Sequence, residues 1–394
     1  MKRTALTLTV LILLLVSTLA AQDTAANDEY ITAMTNNDPA QRVQLLKAWL
    51  NKYGGSGHQY ENFANATVCT EQYQGKSAAE ITKYGEAALK IGGLDNSTKG
   101  KVLMMVAAAY VSTGQNLSQA RNYAGQLSQL AKTAKGQAAE SGNAQLWDQM
   151  TLASYAIQGQ AYEKENNLKG AVEAYSTAYN LSKNKQLATS LAQLGKSSYE
   201  AKDYATAEKA FKIAVPALND FGSTTLYAKT LHRSGKKTEA VKYYKESYNK
   251  RKTGEVAYNL GILLAPNGNS NATVANEAIE YLLAASFLSP ANSERAMKLA
   301  EGLYFNQNPA YNKIVTDIQA KTKSLEQMTN TFNSKFADKA EDDLTDAEKK
   351  EVETLQANIE KAQKDLTALQ TQQQTELEKF QARIAQTKQK LGIQ

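Results

Sequence analysis

Between Leu152 and Pro290 small residues and large apolar residues recur at helical spacing, separated by short polar breaks. Gly159, Tyr162, Ala171, Tyr175 and Ala178 form one set. Leu194, Gly195, Ala207, Phe211 and Ala214 form the next, Ala228, Gly235, Ala240 and Tyr244 a looser third, and Leu260, Gly261, Ala278, Leu282, Ala285 and Pro290 a fourth. In each set an alanine stands four residues before a large apolar residue, so the two share a helix face. Asn166-Asn167, Lys202-Asp203 and Ser234-Gly235 read as turns that stop one helix and start another. Ala171 and Ala207 are 36 residues apart, and Ala207 and Ala240 are 33 apart. The pattern predicts four helix pairs. One pair cannot bury its own apolar face, so neighbours must stack.

These sets resemble the tetratricopeptide repeat (TPR). Its pattern places Leu-Gly near the start, Tyr three residues on, Ala nine further, then an aromatic, a second Ala and a Pro. The first set matches in register. The second carries Ser198 in the tyrosine slot, and the fourth carries five extra residues within 265–271, expected to bulge from the turn. The resemblance covers 152–290. It implies an all-α, TPR-like α-solenoid of stacked helix pairs, and it does not name a partner.

The same reading extends to both sides. Residues 38–143 hold degenerate TPR-like pairs, starting with Asp38-Pro39 as cap and first turn. Residues 144–309 hold the array and a last capping helix. After Pro309 neither Gly nor Pro occurs until Gly392, so 310–394 reads as long charged helices. Thr345 and Glu348 form a capping box there. Val352, Leu355, Ile359, Ala362, Leu366 and Leu369 make a heptad seam, which shifts through Gln373 to Leu377, Phe380, Ile384, Thr387 and Leu391 as a stutter. That seam needs company. Either it folds back on the preceding helix as a hairpin, or it forms a coiled coil with a second copy through 346–391.

At the other end, Met1-Lys2-Arg3, an apolar stretch to Val16 and small residues up to Ala21 read as an export signal over 1–21. The apolar core is short for a bilayer span, so no stable membrane span is expected after cleavage. The expected address is the periplasm, with secretion as the alternative. Residues 22–37 are polar and read as a flexible segment. The net charge of +6 is spread thinly and lacks the aromatic and basic interleaving of a nucleic-acid groove.

Candidate chemistry is sparse. The single cysteine, Cys69, has no partner for an internal disulfide and reads as a small buried residue. His58 and His232 have no second ligand at metal-binding spacing. No nucleophile elbow or phosphate-cradling loop occurs. We therefore expect no catalytic residues, no metal and no cofactor. The resemblance implies instead that first helices line a groove, with partner-facing positions at Gln160, Glu163 and Lys164, then Lys196, Tyr199 and Glu200, then Lys229, His232 and Arg233. In the fourth copy Ile262 and Ala265 would give the groove an apolar end. The expected function is a non-enzymatic scaffold of the bacterial envelope that holds an extended peptide or partner protein. A self-associating structural protein, and a cell-wall glycan-binding module or enzyme, are the alternatives.

Overall fold

The computed structural model describes residues 23–268 and 271–393. The expected export signal at 1–21 lies outside the described residues. All regular structure among them is helical. The α-helices are α1 (23–34), α2 (Pro39–Tyr53), α3 (Glu61–Thr70), α4 (Ala78–Ile91), α5 (Asn96–Thr113), α6 (Leu117–Lys135), α7 (Ala144–Lys164), α8 (Leu168–Ser182), α9 (Lys185–Glu200), α10 (Tyr204–Leu218), α11 (Phe221–Arg233), α12 (Lys237–Lys250), α13 (Gly254–Gly268), α14 (Ala272–Leu288), α15 (Ser293–Asn306), α16 (Pro309–Phe336) and α17 (Asp346–Leu391). They group into two units that meet in sequence at Asn219 and Asp220. The fold is an all-α, TPR-like solenoid of stacked helix pairs.

In the first unit the pairs are α3/α4, α5/α6, α7/α8 and α9/α10. Polar side chains start most second helices. Asn167 accepts from the Gly170 amide, and Asp203 from the Thr206 amide. The α7/α8 and α9/α10 pairs are each interlocked by a small residue set against a large one. A methyl group added to Gly159 would lie 2.5 Å from the Tyr175 ring, and one added to Gly195 would lie 3.0 Å from Phe211. Tyr175 and Phe211 are buried as a result.

Residues 23–34, expected to be flexible, are helical. Ala26, Tyr30 and Ala33 make a stripe at helical spacing and are buried. Trp49 Nε1 donates to Ala26 O at 2.7 Å, and Tyr30 stacks on Tyr60 at 4.4 Å. This packing is what holds an otherwise polar segment in place.

In the second unit α11/α12 and α13/α14 are the repeat pairs, and α15 packs on α14. The close approach recurs here, since a methyl group on Gly261 would lie 2.5 Å from Leu282. The expected bulge after Ala265 is not seen among the described residues, and 269–270 lie outside them. Instead, α13 continues through Pro266 to Gly268, and α14 starts at Ala272, six residues before Ala278. In the first unit α8 and α10 start three residues before Ala171 and Ala207. The described residues of the insertion thus lengthen both helices at the turn end. Helix is the cheaper answer for them, because it satisfies backbone groups that a bulge would leave unpaired.

α16 and α17 form an antiparallel hairpin within the chain. Lys339 pairs with Glu348 at 2.6 Å, Lys335 with Glu351 at 2.5 Å and Lys321 with Asp365 at 2.7 Å, and Asn308 donates to Glu376 at 2.7 Å. Of the seam residues from Val352 to Leu369, Ala362 is buried and the others are half-buried. Of the two arrangements expected for the seam, the chain adopts the hairpin. Beyond Glu376 the helix changes partner. Phe380 is buried against Tyr304 and Phe305, with ring centroids 5.0 and 5.6 Å away. Arg383 donates to the Asn276 side chain and carbonyl, and Lys390 pairs with Glu280 at 2.9 Å.

Two measurements check this packing. Gly159→Ala should destabilise the protein by roughly 1–3 kcal/mol through overpacking. Gly125→Ala and Gly302→Ala, where an added methyl group meets nothing within 4 Å, should stabilise it by about 0.5–1 kcal/mol. Denaturant midpoints will separate the two classes. The chain from Gln22 onward should be a monomer by light scattering, and Phe380→Ala should lower stability by about 3 kcal/mol.

Candidate interaction surfaces

The nine expected groove residues all lie near the ends of first helices, but they are divided between the two units. Gln160, Glu163 and Lys164 are exposed on the last turns of α7. Lys196 and Glu200 are exposed on α9, and Tyr199 is half-buried there. Lys229, His232 and Arg233 lie on α11 in the second unit, the first two half-buried.

Several of these side chains already have partners. The Tyr175 hydroxyl donates to Glu163 Oε2 at 3.0 Å. Burial, and then the Glu163 charge beside it, pushes the Tyr175 hydroxyl well above its usual range. Tyr199 packs tilted against Tyr204, with centroids 5.7 Å apart. Lys229 pairs with Glu255 on α13 at 2.5 Å. By contrast Lys196 and Glu200 are 3.9 Å apart, and both are more than 60% exposed. Such a pair contributes only about 0.3–0.5 kcal/mol, so both ends can turn to another molecule.

Ser198, in the tyrosine slot of the second set, is fully buried, and its hydroxyl has no hydrogen-bond partner. Its backbone carbonyl still accepts from the Asp203 amide at 2.9 Å and so holds the turn. The neighbouring position carries the aromatic ring instead.

The α11/α12 pair is the basic part of the chain. From Asp220 to Lys252 it carries nine Lys and Arg against three Asp and Glu. At its turn end a cavity of about 310 Å³ is lined by His232, Lys237, Thr238, Val241, Ile262, Leu263, Leu264, Pro266 and Asn267. The position reading found His232 and Ile262 but missed the cavity. Its far wall is the extension of α13, which reads in the sequence as an insertion without a shape.

His232 meets the Tyr244 ring edge-on, with centroids 6.3 Å apart. Burial, then the Arg233 and Lys237 charges, holds its pKa below the ordinary histidine value. The neutral ring is therefore the form the fold prefers.

His58 and Cys69 are structural. His58 packs edge-on against Trp49 at 5.1 Å, with Nε2 3.2 Å from Asp23 Oδ1. Cys69 is fully buried. Burial pushes its thiol up to about 12, only partly opposed by Lys76, so it is a poor nucleophile at neutral pH. Among the described residues, no three His, Cys, Asp or Glu side chains come together as a metal site, and no helix is long and apolar enough to cross a membrane.

No protein-family model and no curated protein matches the chain. Solved structures with a similar arrangement of helices include a tetratricopeptide repeat protein from Parabacteroides merdae. It is 13% identical, at TM-score 0.33, over 71% of this chain and 98% of that one. The TPR2AB domain of yeast Sti1, solved as a pHSP90 complex, is 15% identical at TM-score 0.24 over 66% and 98%. The APC/C hetero-tetramer Cut9–Hcn1 is 12% identical at TM-score 0.26 over 70% and 66%. At these values the fold rests on the interlocked helix pairs of this chain itself.

The His232 environment is directly testable. With only two histidines in the chain, its ring resonances can be followed by NMR, and they should titrate below 6.5. The linkage sign follows. The unfolded chain binds this proton more readily, so His232 contributes stability above about pH 6.5. That contribution falls away as pH drops through the folded value. His232→Phe should flatten that part of the stability profile.

Proposed function

We propose that this protein is a non-enzymatic scaffold that binds a partner protein or an extended peptide. The observation that carries this reading is how the side chains are divided. The repeat's small and large apolar residues are consumed by helix packing. On α7 and α9 the last turns leave Gln160, Lys164, Lys196 and Glu200 polar and exposed. Lys196 and Glu200 show this best, joined across 3.9 Å in open solvent. A rigid helical frame with adaptable charged positions on one set of helix ends suits recognition of a polar chain.

The export reading of 1–21 supports an envelope role, with the periplasm as the expected address. The hairpin gives α17 a partner within the chain, which supports the scaffold over the self-associating alternative. No observation favours a glycan-binding or catalytic reading.

Site-specific photocrosslinking in envelope extracts tests the proposal. A photoreactive side chain at Lys196 or Gln160 should give a discrete crosslinked species, and one at the exposed Leu181 on α8 should not. The species should weaken at least fivefold when Glu163 and Glu200 are changed together to alanine at the other positions. Equal labelling from α8, or no discrete species from either first helix, would remove the scaffold reading.

A further inference from the structure

The cavity at the turn end of α11, α12 and α13 differs from the exposed positions on α7 and α9. Its floor is apolar, from Val241, Ile262, Leu263, Leu264 and Pro266. Its polar lining is His232, Lys237, Thr238 and Asn267, and among the described residues no carboxylate lines it. Arg233 follows His232 directly and is exposed, and Lys237 is exposed at the start of α12. The helix pair around it carries the threefold excess of basic residues counted above. The cavity therefore offers an anion the exposed Lys237 in its lining, and the exposed Arg233 next to His232, beside an apolar hole.

The size and the charge narrow the choice of occupant. About 310 Å³ is at the small end of ligand pockets. It accommodates one large side chain rather than an extended cofactor. An apolar side chain with a neighbouring carboxylate is the chemistry of a short acidic stretch of protein.

We propose that this cavity is a docking site for an acidic segment of a partner protein, which inserts one bulky apolar side chain and sets a flanking carboxylate against Lys237 and Arg233. The proposal rests on the scaffold reading and deepens it, by assigning a defined pocket to one part of the partner. The lengthened α13 is what makes the pocket. Without its last turn, Pro266 and Asn267 would be missing and the wall would be open.

The test uses the chain from Gln22 to Gln394 and a fluorescein-labelled peptide with a central phenylalanine flanked on each side by two aspartates. Binding is read by anisotropy, and occupancy by the ring resonances of ¹³C-labelled histidine. The peptide should shift His232 and leave His58 still. Affinity should fall at least tenfold when the phenylalanine is replaced by alanine, when the aspartates are replaced by asparagines, or with Lys237→Glu. Thr238→Trp, which fills the cavity from an exposed position, should abolish binding while circular dichroism stays unchanged. Absence of binding overturns the proposal. So does binding that leaves His232 unmoved or that survives both Lys237→Glu and Thr238→Trp. Any of these results leaves the crosslinking experiment on α7 and α9 to decide the scaffold reading on its own.

Discussion

The structure depends on letting two helices of a pair come close enough for one large side chain to fill the gap between them. Gly159 faces Tyr175, Gly195 faces Phe211 and Gly261 faces Leu282. A side chain on the first helix would occupy the space that the ring or leucine needs. The arrangement is steric before it is hydrophobic, because burying the large residue requires the small one first. Interiors packed at crystal-like density do not absorb an extra methyl group cheaply. The alanines at 171, 207 and 278 serve the same purpose from the second helix, and all three are fully buried. Polar side chains are thereby left for the helix ends and outer faces.

This dependence explains what could be read from the sequence. Small and large residues recur in register from Gly159 to Ala285, so the helix pairs and the fold class were legible there. Local capping was legible too. Asp38 accepts from the Ala40 and Gln41 amides, and Thr345 with Glu348 forms the capping box. Features that depend on long-range packing were harder to see. The stripe of Ala26, Tyr30 and Ala33 is too short and too polar in its flanks to stand out. It becomes a helix because Trp49 and Tyr60 cover it. The extra residues after Ala265 were visible as a count, yet nothing local says that they lengthen two helices.

The candidate surface shows the same division. Register supplied the positions of Gln160, Glu163, Lys196, Lys229 and His232. It could not supply their engagements, because Glu163 is met by a residue on the next helix and Lys229 by Glu255 on another pair. The basic bias around α11 is therefore partly neutralised within the chain. What remains is concentrated at Arg233 and Lys237, beside a cavity that no spacing rule encodes.

The two seams of α17 carry a mechanical consequence. Read as a stutter, the shift near Gln373 looks like a local unwinding of one coiled coil. In the fold it is the point where the helix leaves α16 and takes up α14 and α15. One continuous rod of 46 residues is thus clamped at one end and paired along the other. From Leu377 to Asp346 the rod spans about 45 Å at 1.5 Å per residue. A rotation of about ten degrees at the clamp would carry the hairpin tip through roughly 8 Å over that length. Small rearrangements beside Glu280 and Asn276 would be magnified into displacements large enough for another molecule to feel, which makes the hairpin a lever arm geared to the last repeat.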